Sequence, residues 1–174
     1  MKPTLLTLSL LATLPVSALE LTSPDLSEGS PMADTFVYNG FGCHGDNRSP
    51  ALNWRDLPAG TQRLAITAYD PDAPTGSGWW HWIVVNLPVS ESGLARGASG
   101  QLKAGLETRT DFGLTGYGGP CPPKGHGMHR YRFTLWALPG PLSVKADTPA
   151  AMIGFQLNQS ALASASLTAT YTSR

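Results

Sequence analysis

The chain has 174 residues, a formal net charge of zero and 14% charged residues, against roughly 25% in an average domain. That length suits one domain with a proper core. With no run of lysine or arginine, nucleic-acid binding and polybasic membrane attachment both lose support.

In chain order, Lys2 precedes an apolar run from Leu5 to Val16, and Val16-Ser17-Ala18 supplies small residues at a cleavage site. Residues 1–18 therefore read as a secretory signal peptide, too short for a membrane span. No cysteine follows the site, so no lipid anchor is expected. The mature domain is expected to be residues 19–174, periplasmic or secreted, with no later membrane span.

Leu19 to Met32, with Pro24 and Pro31, reads as an edge strand or lead-in. Thr35 to Tyr38 is a short strand candidate, and Asn39-Gly40 a turn signal. Phe41 to Pro50 is a glycine-bearing loop. Ala51 to Leu57 forms a strand with Leu52 and Trp54 on one face, and Arg63 to Asp70 alternates as a second. The DPDAP turn breaks that pattern, and Trp79 to Leu87 is nearly continuous apolar, as in a strand buried on both sides.

Leu106 to Leu114 stays open between strand and loop, and Tyr117 to His129 is a rim loop. Arg130 to Leu138 alternates strongly, with Tyr131, Phe133, Leu135 and Ala137 on one face. One helix is persuasive. Asp147 or Thr148 caps it, Pro149 fits its first turn, and it runs from Ala150 to about Ala163. Its apolar positions are Met152, Ile153, Phe155, Leu157 and Leu162. Gly154 within it costs up to ~1 kcal/mol relative to alanine. Leu167, Ala169 and Tyr171 alternate as a last strand. Many turns from 19 glycines and 15 prolines complete the picture. The class is all-β dominated, an antiparallel β-sandwich of two sheets with one late α-helix.

The chemistry gathers where strands meet turns. Asp70 and Asp72 flank Pro71, which stiffens the turn. Either carboxylate can simply cap the turn through its own backbone. His81, between Trp80 and Trp82, is by itself an ordinary core histidine. His129 heads a strand with Tyr131 on the same face, since strand side chains have period two. His44 and His126, flanked by glycine, read as exposed loop residues. Two aspartates and two histidines are donors for zinc or iron, but their spacing matches no cluster, so neither metal nor cofactor is expected. No GxSxG elbow exists, and Cys121 as a nucleophile beside His129 competes with a Cys43–Cys121 disulfide, which export favours. What remains is a pocket of imidazole, phenol and backbone donors suited to a small oxyanion.

DPDAP, then WHW with IVVN, then GPCPPKGHGMHRYRFTLWAL resemble the two signature regions of the phosphatidylethanolamine-binding protein family, also called Raf kinase inhibitor-like proteins. NRSPALNW and the late helix followed by LTATY extend the likeness over nearly the whole mature chain, closest to the bacterial branch. The resemblance implies a β-sandwich with an anion pocket at one end, lined by Asp70, His81, His129 and Tyr131. It implies that Asp72 and Pro74 hold the turn beside it. Cys121-Pro122-Pro123, preceded by Gly119-Pro120, takes the place of a Gly-Pro-Pro run that brings backbone N–H groups to the anion. The expected partner is a small anionic or phosphorylated ligand, with a protein partner for a binding or modulating role. Two other readings stay open: a secreted protease or kinase-type inhibitor, and a hydrolytic enzyme with Asp70 and His81 as acid and base.

Overall fold

The computed structural model describes residues 18–173. The expected leader, residues 1–18, lies outside them but for Ala18.

A five-stranded antiparallel sheet forms the centre. Its strands are β5 (Arg63–Asp70), β6 (Trp79–Pro88), β8 (Leu106–Glu107), β9 (His129–Leu138) and β10 (Ala163–Tyr171), in the order β10-β9-β5-β6-β8. A three-stranded sheet of β1 (Glu20–Thr22), β4 (Leu52–Arg55) and β7 (Gly93–Leu94) covers one face. Leu52, Trp54, Leu64, Ile66, Trp82, Phe133 and Leu135 pack between the two. The other face carries α1 (Ala150–Ser160), whose Ile153 and Leu157 bury Ala65, Ile83, Val85 and Leu138. Both faces of β6 are thus covered, which is why its sequence shows no polar side.

β6 contains one more residue than a plain ladder needs at its start. Ala68 pairs with Trp82 and Tyr69 with Trp80, so His81 is the unpaired residue of a β-bulge. Without the extra residue, alternation would put Trp80 and Trp82 on one face. Instead Trp82 enters the core between the sheets, while Trp80 lies against the helix. A Cβ at Gly154 would come within 2.7 Å of the Trp80 ring. The glycine that weakens the helix is what lets it close on the sheet.

Several expectations need correction. Thr35 to Tyr38 is not a strand: Asp34–Phe36 is a 3-10 turn. Asn39–Gly40 is a strand (β2) pairing with Cys43–His44 (β3), so the turn falls further along, at Phe41 and Gly42. Both have positive φ, 55° and 86°, as a two-residue hairpin turn requires. The Leu106 to Leu114 stretch is strand only at β8. The helix stops at Ser160, because Ala161 is extended and Leu162 N–H donates to Ala137 O at the entry to β10. Pro149 is its N-cap, with no side-chain cap. Thr148 Oγ1 instead accepts from Lys145 N–H, and Met152, Phe155 and Leu162 are exposed.

Candidate functional site

Asp70 ends β5, Trp79 begins β6 opposite it, and His129 begins β9. These three adjacent strands therefore bring their side chains to one end of the sandwich. There a cavity of about 210 Å³ is lined by Asp70, His81, Cys121, Pro122, His129 and Tyr131. The four residues expected to line the pocket, Asp70, His81, His129 and Tyr131, come together there, with Cys121, Pro122 and Pro123 of the segment expected to face the anion. Asp72 and Pro120 stand outside the lining. Pro120 is buried beneath it, its carbonyl accepting from Tyr38 N–H. Asp72 faces outward, where Arg130 Nε donates to it at 2.8 Å and Arg130 Nη2 at 2.6 Å. Arg130 N–H adds a third bond. Arg130 holds the Asp72 carboxyl well below the usual range, at about 2.

Asp70 is buried. One carboxylate oxygen accepts from Asp72 N–H at 2.8 Å, and the other accepts from His129 Nδ1–H at 2.7 Å. The carboxylate hydrogen-bonds His129, so the acid/base partnership with His81 is not formed as a direct bond. His81 Nδ1–H donates to Gly118 O at 2.7 Å. Burial drives the His81 imidazole down to about 4, against the upward pull of that carbonyl and of Asp70. At neutral pH it is uncharged, and Nε2 is the ring atom left to accept from a ligand. Tyr131 is 2% exposed, and its hydroxyl has no hydrogen-bond partner. Burial, then the Asp70 charge, pushes the phenol up, so it stays a donor. A neutral phenol left unpaired inside protein loses about 1–3 kcal/mol of solvation.

The cavity's upper wall was not legible in advance. Phe112, inside the undecided stretch, packs its ring on Trp79, His81 and Tyr38, with centroids 5.5, 5.3 and 4.5 Å away. Its one trace in the sequence is Gly118, where a Cβ would meet the Phe112 ring at 2.4 Å. Phe41, 76% exposed, stands at the rim. Its hairpin is bonded to the opposite wall by the expected Cys43–Cys121 disulfide, which spans 78 residues of sequence. Cys121 is not among the described residues with positive φ, so cysteine fits there without strain. Cys121 is also the one residue of Cys121-Pro122-Pro123 with a backbone N–H. His44 and His126 are both exposed, as expected, yet His126 Nδ1 lies 2.7 Å from His129 Nε2. Among the described residues no cluster of metal-ligating side chains forms.

The fold is a mostly β sandwich with one helix and a small cavity at the ends of its central strands. The chain belongs to the phosphatidylethanolamine-binding protein family, whose sequence profile matches residues 22–172. It is 50% identical over 158 residues to the UPF0098 protein YbhB of Escherichia coli, covering 88% of this chain and 99% of YbhB. The crystal structure of Escherichia coli YbcL, described as a new member of the mammalian PEBP family, superposes with a TM-score of 0.87 at 40% identity. That match covers 91% of this chain and all of the YbcL chain. A relative named as a lipoprotein, LppC of Mycobacterium tuberculosis, is 37% identical over 164 residues, 92% of this chain and 77% of LppC.

Proposed function

We propose that the protein is an exported binding module whose cavity takes a protonated oxyanion, such as the monoanion of a phosphate or phosphate ester. The observation that supports it is the Tyr131 hydroxyl, buried without a partner at the cavity. The groups around it set the ligand's protonation state. Tyr131 donates, while the Asp70 carboxylate and neutral His81 Nε2 accept. An oxyanion that keeps one O–H satisfies both kinds of group, whereas a fully ionised one would face Asp70 as a like charge. Export is supported by the Leu5 to Val16 run with its small-residue site, by the disulfide and by the lipoprotein name of LppC. Among the described residues no helix is long and apolar enough to cross a membrane. In this reading the bound module presents its ligand, or its occupied rim, to a protein partner.

The test is calorimetry with inorganic phosphate and phosphoethanolamine. Affinity should rise as pH falls from about 8 to 6, as the second phosphate ionisation, pKa about 6 in a phosphate ester, is reversed. Tyr131→Phe should weaken binding by roughly 0.5–1.5 kcal/mol. Equal affinity in the variant, or affinity that grows with pH, would sink the assignment.

A further inference from the structure

The floor of the cavity holds one histidine with no ring nitrogen to spare. His129 gives Nδ1–H to Asp70, and its Nε2 lies 2.7 Å from His126 Nδ1. The two imidazoles therefore share a proton between those nitrogens. His129 lines the cavity and is buried. His126 does not line it and sits exposed on the preceding loop, its ring 5.0 Å from that of His129 and inclined at 65°. A ligand that bonds His129 in the ring plane has only Nε2 to address, because Asp70 holds the other nitrogen. His126 is on that atom already.

The loop around His126 is built to give way. Gly125 and Gly127 flank it with φ of 76° and 92°, and a Cβ at either would meet nothing within 4 Å. Both glycines open onto free space, and such residues cross between backbone regions at little steric cost. A main-chain bond, His126 N–H to Pro123 O, ties it to the rim.

We infer that His126 is a resident stand-in for the ligand: it occupies His129 Nε2 in the absence of ligand and surrenders it to a ligand O–H. The inference rests on the anion reading above. The exchange replaces one hydrogen bond by another at the same atom, so His126 subtracts from ligand affinity instead of adding to it. It thereby sets a threshold. Ligands that bond only Tyr131 and His81 do not displace it, and those that also reach His129 do. A histidine beside the pocket would ordinarily be taken as a further binding residue, and the two roles predict opposite signs.

The experiment is phosphate calorimetry on the wild type, His126→Ala and Tyr131→Phe, with imidazole nitrogen NMR on the wild type. His126→Ala should bind phosphate roughly three- to ten-fold more tightly, about the worth of one recovered hydrogen bond. Saturating phosphate should move the His126 Nδ1 resonance from its bonded to its free position. Unchanged or weaker binding by His126→Ala, or a His126 resonance that ignores phosphate, overturns the stand-in role. If Tyr131→Phe still weakens binding in that case, the pocket assignment survives alone. If neither wild type nor His126→Ala binds phosphate, the pocket assignment fails and this inference with it.

Discussion

The two carboxylates of the DPDAP turn lie two residues apart and do unlike work. Asp70 points inward, shares its oxygens between a main-chain N–H and His129, and has almost no contact with water. Asp72 points outward and holds Arg130 in a two-pronged, solvent-facing pair. The proline between them fixes the turn so that one side chain is carried into the cavity and the other onto the surface. Residue type does not separate the two; surroundings do. The inner group belongs to a low-dielectric network in which every member depends on its neighbours. The outer one belongs to an ion pair screened by solvent.

The sharpest way to break the comparison is to remove each carboxylate in turn. Asp70→Ala leaves the His129 Nδ1–H buried and unanswered, and should cost about 1–3 kcal/mol of stability along with ligand binding. Asp72→Ala should cost under about 1 kcal/mol and keep the pocket. Urea titrations of both variants decide it, and similar losses would mean that burial is not what distinguishes the two.

Acid should then separate the regions by pH. His81 has a native pKa of about 4 against an ordinary value of 6.5, so the unfolded chain takes up that proton first. Its contribution is complete above about pH 6.5 and declines as pH falls towards 4, by on the order of 3 kcal/mol at most. Asp72 behaves as a depressed carboxylate. Its contribution is complete above about 3.8 and is lost as pH falls through about 2. Half-buried, in an ion pair whose Arg130 faces solvent, it gives much the smaller step. Unfolding free energies measured from pH 7.5 to 3 should therefore fall first in the histidine window. His81→Gln should flatten that slope and leave the lower one.

The smallest effect is expected at Tyr131. Its hydroxyl has no protein partner to lose, so Tyr131→Phe should leave the melting temperature unchanged or slightly higher while ligand binding weakens. A melting temperature several degrees lower would mean that the hydroxyl supports the fold, and the observation that supports the proposed function would be lost.

How far the sequence foretold this arrangement differs by element. Strands β5, β9 and β10 were legible because one side chain in two is apolar. β6 was legible as a buried strand, but its bulge was not, since an unbroken apolar run has no alternation for an extra residue to disturb. The turn was placed at Asn39-Gly40 and not at Phe41-Gly42, because Phe41 takes a positive φ that aromatic residues seldom adopt. In the site, the resemblance pointed to Asp70, His81, His129 and Tyr131 together. No local pattern distinguishes Asp70 from Asp72, however, and only the direction of the strand end does. Phe112 was invisible because it sits alone in a turn and acts through rings far away in the chain.

The bulge at His81 carries a consequence for which positions the scaffold can spare. Ala68 faces Trp82, Tyr69 faces Trp80 and Asp70 faces Trp79. Strike His81 from the chain, and those three facing pairs remain as consecutive rungs of an ordinary ladder. Both neighbouring tryptophans would keep their present sides, one between the sheets and one on the helix. What goes missing is the imidazole and its grip on the Gly118 segment, bonded both at the ring and at the main chain. The histidine is in this sense an inserted letter: the strand spells the same structure without it, and its reason for being there lies in the cavity.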